Sequence, residues 1–305
     1  MAFLNALPGA VAQGLIWGLM AIGVYISYKI LDIADLTVDG SICTGACVCA
    51  LLIGMGVPVW VSVLVAFVAG ALTGALTGLL HTAFGIPSIL AGILTQLILY
   101  SVNLALLGSK SLMAVDYRTN DLLLHMSDNM AAIATCVVII AMVIVGLWLF
   151  FYTEVGLTLK STGDNPDMSR AQGVNVKLNK VIGLAIANGI VALAGALLAQ
   201  YKGSANINDG RGAIVIALAA IFIGLSVSMK IKPNFVVSLI GVVGGGVVYY
   251  IIYSLVILLG LKTDYLKMLS AIIVIAFLAI PYIKGEYFTK QKPAPAAQKG
   301  GEGDA

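Results

Sequence analysis

Seven stretches of this chain run for roughly twenty residues each with almost no charge: 9–30, 59–80, 87–107, 130–151, 181–199, 235–259 and 266–283. That feature constrains the fold more than any other, because about 20 apolar residues wound as a helix match the thickness of a bilayer's hydrocarbon core. Two shorter runs, 41–54 and 213–229, each follow an Asp-Gly step, Asp39-Gly40 and Asp209-Gly210. Counting both as crossings gives about nine segments. The runs are too long, and alternate too little, for the strands of a membrane barrel. Composition closes the remaining routes. Hydrophobic residues make up 60% and charged residues 10%, with a mean hydropathy of +1.04, whereas a soluble domain has about 45–50% and about 25%. Such a chain cannot clothe a water-facing surface, which excludes a soluble enzyme, a secreted disulfide scaffold, a coiled coil and a disordered regulator. The expected fold class is an all-α polytopic membrane protein.

Charge orients the expected spans. The first basic residue is Lys29, so there is no charged leader and the first run is expected to be a permanent span. Placing 152–180 in the cytoplasm and alternating outward puts eleven of the 17 Lys and Arg residues inside. The positive-inside rule then sets the N-terminus outside and the C-terminus in the cytoplasm. Net charge is +3 with scattered basic residues, and no basic patch interleaved with aromatics supports nucleic-acid binding. Cys43, Cys47, Cys49 and Cys136 lie in apolar runs, where small packing residues are expected rather than a metal site. Residues 1–285 are expected to form the membrane domain, and the polar stretch 286–305 a disordered cytoplasmic tail.

The two Asp-Gly steps suggest a repeat. Leu36-Thr37-Val38-Asp39-Gly40 leads into a run ending at Gly54, and Asn206-Ile207-Asn208-Asp209-Gly210 into one ending at Gly224, an offset of 170 residues in both cases. The halves would be about 9–107 and 179–283, with inverted topology, because five crossings separate equivalent elements. Inverted repeats with interrupted helices are a common plan for solute transporters. Gly70, Gly74 and Gly78 share one helical face, which lets a second helix approach closely. Gly244-Gly245-Gly246 suits the same role.

Residues 152–180 are longer than a connector requires. Within them Asn165 is a good N-cap and Pro166 suits the first helical position. Asp164 and Asp167 place negative charge at the helix start, and Arg170 places positive charge near its end. Gly173 can take the left-handed conformation that stops the helix. The spacing predicts a short helix over about 165–173, too short to persist unless packed on something. A docking element is the natural reading.

This loop resembles the permease subunits of bacterial ABC importers, in the branched-chain amino acid, ribose and nucleoside class. Their pattern, Gly-x-Asn-x-x-x-x-Arg/Ala-Ala-x-Gly-Ile/Val-Asn, falls here on Gly163, Asn165, Arg170, Ala171, Gly173, Val174 and Asn175. Asn165-Pro166 and Arg170-Ala171-Gln172-Gly173 resemble an amino-acid-type subgroup that includes importers of aromatic amino acids. The resemblance covers about 9–283. In many relatives Arg follows the leading Gly, whereas Gly156 is followed by Leu-Thr-Leu-Lys160. The resemblance implies a type II importer fold and a coupling helix at 165–173 seated on a separate cytoplasmic ATPase. It also implies an external binding protein that chooses the solute, and two permease chains paired as a homodimer or heterodimer. The chain carries no Gly-x-x-x-x-Gly-Lys-Ser/Thr loop, so ATP is expected on the partner rather than on this subunit, and neither catalysis nor a cofactor is expected of it.

Polar residues inside spans are costly and often functional. Acidic and basic residues all fall near span ends, which argues against a carrier driven by a buried carboxylate. The mid-span polar residues are Gln13, Gln96, Asn103 and Asn188, which either line a pathway or hydrogen-bond between helices. Lys110, Arg118, Lys202 and Arg211 fall at outer loops and are candidates for docking the binding protein, or are ordinary solvated loop charges. An ATP-independent carrier or channel is the alternative function class.

Overall fold

The computed structural model describes residues 2–115, 122–124, 128–231 and 234–258, with isolated positions at 268, 271, 272 and 275. The expected span over 266–283 falls almost wholly outside the described residues, and the tail 286–305 lies outside them altogether. Ten α-helices run in chain order among the described residues: α1 Ala2–Tyr25, α2 Val38–Gly54, α3 Val59–Thr82, α4 Ser88–Leu106, α5 Asn129–Tyr152, α6 Glu154–Asp164, α7 Pro166–Ala171, α8 Val176–Lys202, α9 Ala213–Ile231 and α10 Phe235–Leu258. Six of the helical stretches are long and apolar enough to cross a membrane, while α2 and the apolar part of α9 are shorter. The architecture is the all-α membrane bundle that the apolar runs require.

The 27-residue α8 is the mast of the bundle, about 40 Å long at 1.5 Å per residue. It is apolar all round and buried over most of its length, as a helix without a solvent face should be. Its partners are α1, α2, α3 and α6. The Gly70, Gly74 and Gly78 face lies against it: a Cβ on Gly74 would clash with the carbonyl of Leu184, and one on Gly78 would stand 2.8 Å from the Cα of Val181. α10 packs in turn most extensively on α1 and α9. There Gly246 meets Gly14 and Gly18, Gly245 meets Ala220, and a Cβ added at Gly244 would point into open space among the described residues. Without a hydrophobic drive between helices in lipid, these close backbone approaches supply the packing energy.

The first span ends differently from an uninterrupted helix. Residues Ile26–Ile30 form a π turn, and the chain reverses at Asp32, whose φ is 54°. Asp tolerates this left-handed conformation better than most residues, and the amide of Ile33 closes back on the carbonyl of Ser27 at 2.9 Å. The chain then climbs back into the bundle before α2 begins. At the opposite end, β1 (Leu112–Ala114) and β2 (Ser204–Asn206) pair antiparallel, with Met113 opposite Ala205.

The two Asp-Gly steps meet in space but are not equivalent in detail. Asp39 sits in the first turn of α2, whereas Asp209 precedes α9 by four residues. The Asp39 carboxylate accepts from the amides of Gly212 and Ile214, both at 2.9 Å, and so caps the start of α9. An acidic group there also opposes the positive end of the helix dipole.

Candidate functional site

The segment between α5 and α8 is more built than the single short helix expected. α6 occupies eleven residues that were read as loop, and α7 covers Pro166–Ala171. The local reasons are those read from the sequence. The Asn165 side chain accepts from the amide of Met168 at 3.0 Å, Pro166 is the first helical residue, and Gly173 has φ +84°. The signal missed for α6 is its own cap: Thr153 Oγ1 accepts from the amide of Gly156 at 3.3 Å. Gly156 and Gly163 are helical residues pressed against backbone. A Cβ on Gly163 would clash with the carbonyl of Ile30, at the end of the π turn.

α6 fixes α7 to the bundle. Leu159 is fully buried and packs with Leu31 against Gly183 of α8. Asn179 Nδ2 donates to Thr162 Oγ1 at 3.1 Å, and the buried Ser169 of α7 donates to Ser161 Oγ at 3.2 Å. The other side of α7 faces outward. Asp164, Asn165, Asp167, Met168, Arg170, Ala171 and Gly173 are all exposed, and Pro166 is half-buried. Asp167 and Arg170 pair with each other at 3.1 Å, with side chains 87% and 68% exposed. An exposed pair like this contributes about 0–1 kcal/mol at most, so the shape of α7 rests on its caps and on Ser169. The result is a rigid knob of two faces, one riveted to the bundle and one free.

The polar residues expected inside the spans have different surroundings within this chain. Asn188, the thirteenth of the 27 residues of α8, is completely buried. Its Nδ2 donates to Asp35 Oδ2 at 2.6 Å, and its Oδ1 accepts from Ser41 Oγ at 2.7 Å. Asp35 also accepts from the amide of Thr37 at 2.9 Å. Ser41 meets Thr73 at 2.8 Å, and Thr37 meets Thr77 at 2.7 Å, which in turn bonds Thr95 at 3.0 Å. This corrects the expectation that ionisable residues stay near span ends. Asp35 is near an end in sequence, but the reversal at Asp32 carries it to the middle level of α8, where it is 3% exposed. Asn188 therefore acts as interhelical glue, and Asp35, Thr37, Ser41, Thr73, Thr77 and Thr95 are polar core residues that span reading missed. The alternation of Thr73 and Thr77 on the Gly70–Gly78 face was the available signal.

Gln96 and Asn103 do come together. They project from α4 into a cavity of about 360 Å³ whose other walls include Asp39, Cys43, Tyr100, Ile207 and Arg211. Gln13 is half-buried on α1 and does not line it. Cys43 closes the floor: its thiol donates to the Ile207 carbonyl, and its sulfur accepts from the Gly210 amide, both at 3.1 Å. Three of the four charges expected at outer loops fall within the described residues. Lys202 is paired with Asp209 at 3.3 Å, Arg211 lies 5.8 Å from the Tyr100 ring centre, Lys110 is exposed, and Arg118 lies outside the described residues.

With this geometry in hand, the comparisons with known proteins agree with one another. Residues 7–278 match the family described as branched-chain amino acid transport system, permease component. A tyrosine transport system permease protein of Clostridioides difficile is 35% identical over 276 residues, covering 90% of this chain and 91% of that protein. An uncharacterized protein of Rickettsia prowazekii is 32% identical over 285 residues, 93% of this chain and 99% of that one. A xylose transport system permease protein of Haemophilus influenzae is 33% identical over 87 residues, 28% of this chain and 23% of its own. No solved structure matches.

Proposed function

Because the chain belongs to the family of branched-chain amino acid transport system permease components, we propose that it is the membrane subunit of an ABC importer for an amino acid. A separate ATPase drives it, and an external binding protein supplies it. The observation that carries the ATPase partner is α7: a capped two-faced knob, anchored through Ser169 and α6 but exposed on its outer side. A connector has no reason to be built so firmly. The end bearing α6 and α7 is then cytoplasmic, which agrees with its basic residues. Among amino acids, an aromatic one is favoured by the near full-length likeness to a tyrosine transport permease.

Two copies of this chain, or this chain and a second permease, enclose the pathway around a twofold axis. Each contributes two halves of inverted topology, a reading supported by the α3–α8 and α1–α10 pairings. The test is reconstitution of the chain with its candidate ATPase and binding protein. ATP-dependent uptake of labelled tyrosine, abolished when the ATPase is omitted, is the expected result. Uptake that persists without ATPase but follows a proton gradient would favour the second reading, an ATP-independent carrier. That reading has one observation in its favour, the buried Asp35 carboxylate. Against it, every hydrogen bond of Asp35 is to a residue that also ties helices together.

A further inference from the structure

The α7 end of the α3–α8 pair is joined by a contact whose protonation state follows from its partners. His81, in the last turn of α3, has Nδ1 2.9 Å from the carbonyl oxygen of Ile86. Its Nε2 lies 3.3 Å from Nζ of Lys180, near the start of α8. A carbonyl oxygen can only accept and an ammonium can only donate. The ring therefore carries its proton on Nδ1 and presents a bare Nε2 to Lys180. As built, the contact requires a neutral imidazole. It also fixes the turn between α3 and α4. The Ile86 amide donates to the Leu80 carbonyl at 3.2 Å while its own carbonyl accepts from His81. Ala83, Phe84 and Gly85 of that turn are exposed.

No carboxylate shares the contact: the ion pairs among the described residues are Arg170–Asp167 and Lys202–Asp209. The helices packed on α3 are α8, α2 and α4. α8 brings Lys180 and, three residues earlier, the exposed Lys177. α4 carries Tyr100 as its one titratable residue, in its far half. α2 brings Cys43, Cys47, Cys49 and Asp39, whose carboxylate caps α9. The segment before α2 brings the exposed Asp32, and Asp35, whose oxygens accept from Thr37 and Asn188.

We propose that His81 and Lys180 form a pH-sensitive clasp between the end of α3 and the start of α8. With His81 neutral, Nε2 accepts from Lys180 and the clasp is shut. A protonated ring has no lone pair there, so donor faces donor and two positive charges repel at contact distance. Lys177 and the positive end of the α8 dipole sharpen that repulsion. Histidine is the side chain whose charge ordinarily changes within the physiological range, so acid on this face opens the contact. The proposal concerns the helix pair alone and holds for any solute and either energy source. What it regulates is the attachment of α3 and its turn to the helix that begins just beyond α7.

The chain holds two histidines, His81 and His125, so His125→Gln leaves one ring to observe. The full-length chain, freed of any affinity tag and carrying isotope-labelled histidine, is placed in phosphatidylcholine nanodiscs and followed by NMR across the acid range. A neutral ring protonated on Nδ1 is expected at neutral pH; a proton on Nε2 instead would overturn the proposal. Amide exchange over 82–87 and 176–181 reads the opening. At each pH it is taken as the ratio to His81→Gln, which cancels the intrinsic effect of pH. The glutamine of that variant can accept from Lys180 and donate to Ile86 but cannot be charged. The ratio should rise about two- to ten-fold as the ring protonates, the equivalent of one hydrogen bond of ordinary net strength. Lys180→Met should exchange fast already at neutral pH and show no further rise in acid. It alone carries the comparison should His81→Gln fail to match wild-type helicity and elution. A ratio that stays flat through the ring's titration, or a Lys180→Met chain that responds to acid as the wild type does, would overturn the clasp.

Discussion

The Asn188–Asp35 contact should be the most expensive single polar contact to remove. Asn188→Leu is nearly isosteric, so the Cβ that faces Gly74 is kept and little cavity opens. What is lost is the donor at 2.6 Å from Asp35 Oδ2 and the acceptor at 2.7 Å from Ser41 Oγ. Ser41 retains Thr73 at 2.8 Å as a partner, so its share of the loss is small. Asp35 retains Thr37, through its amide and its side chain. A hydrogen bond contributes about 0.5–1.5 kcal/mol net, or about 1.5–3 kcal/mol where one partner is charged, and leaving a buried polar group unsatisfied costs about 1–3 kcal/mol. In membrane proteins measured interhelical bonds average only about 0.6 kcal/mol, since the reference state finds other partners. A loss of about 2–3 kcal/mol is therefore the expected size.

The double variant is the discriminating one. Asp35→Leu together with Asn188→Leu removes both halves of the contact and leaves no orphaned charge, which can be nearly neutral. A cycle measured by denaturant unfolding in detergent should give a coupling energy of at least about 1 kcal/mol, with the double variant more stable than Asn188→Leu alone. Additive losses, or single losses below about 0.5 kcal/mol, would refute the claim that this contact holds the returning segment in place.

Four other outcomes follow from the same geometry. Gly173→Val should cost about 1–2 kcal/mol at the end of α7, because φ is +84° and a β-branched residue resists it. Gly173→Asn should be mild, and ATPase stimulation by loaded binding protein is the readout that should fall in the first and survive in the second. Gly74→Leu should prevent recovery of folded protein on size exclusion, since backbone from α8 occupies the site, while Gly244→Ala, with nothing within 4 Å, should be silent or slightly stabilising. Arg170→Gln should leave the unfolding midpoint unchanged, because its ion pair is exposed, yet lower ATPase stimulation; full stimulation would exclude Arg170 from the ATPase contact. Gly163→Ala should uncouple ATP hydrolysis from uptake by wedging α6 away from Ile30, and normal stoichiometry of ATP to solute would count against that contact.

Much of the bundle was legible because hydrocarbon leaves a chain few choices. Apolar run length alone located α3, α4, α5, α8 and α10 to within a few residues, and the cap chemistry of Asn165, Pro166 and Gly173 located α7. What escaped was everything that depends on the chain turning back inside the bundle. Span reading assigns depth from sequence position, so Asp35 looked peripheral. Its true depth is set by the π turn and by one left-handed residue, Asp32, neither of which has a hydropathy signal. α6 escaped for another reason. Its sequence, Glu-Val-Gly-Leu-Thr-Leu-Lys-Ser-Thr-Gly-Asp, holds two glycines and two threonines, poor helix formers on propensity. Tertiary contact overrides that propensity, because the same glycines allow the helix to lie directly on backbone.

That override connects the two ends of the argument. α7 is bonded to α6 through Ser169 and Ser161, and α6 rests on Ile30, Leu31 and Asn179. Leu31 begins the segment that reverses at Asp32 and ends at Asp35 and Thr37, which hold α8, α2 and α3 together at mid-level. A push on the exposed face of α7 therefore passes through α6 both to α8 and to the end of the first span, which is not a regular α-helix. Packed helices joined at backbone distance move as a body, whereas a π turn followed by seven non-helical residues can absorb a change in φ and ψ. The structure thus places a stretch of irregular backbone between the surface proposed to receive work from ATP and the polar cluster that joins α2 to α8. Asp39, two residues beyond Thr37, caps α9 and borders the cavity of Asn103 and Arg211.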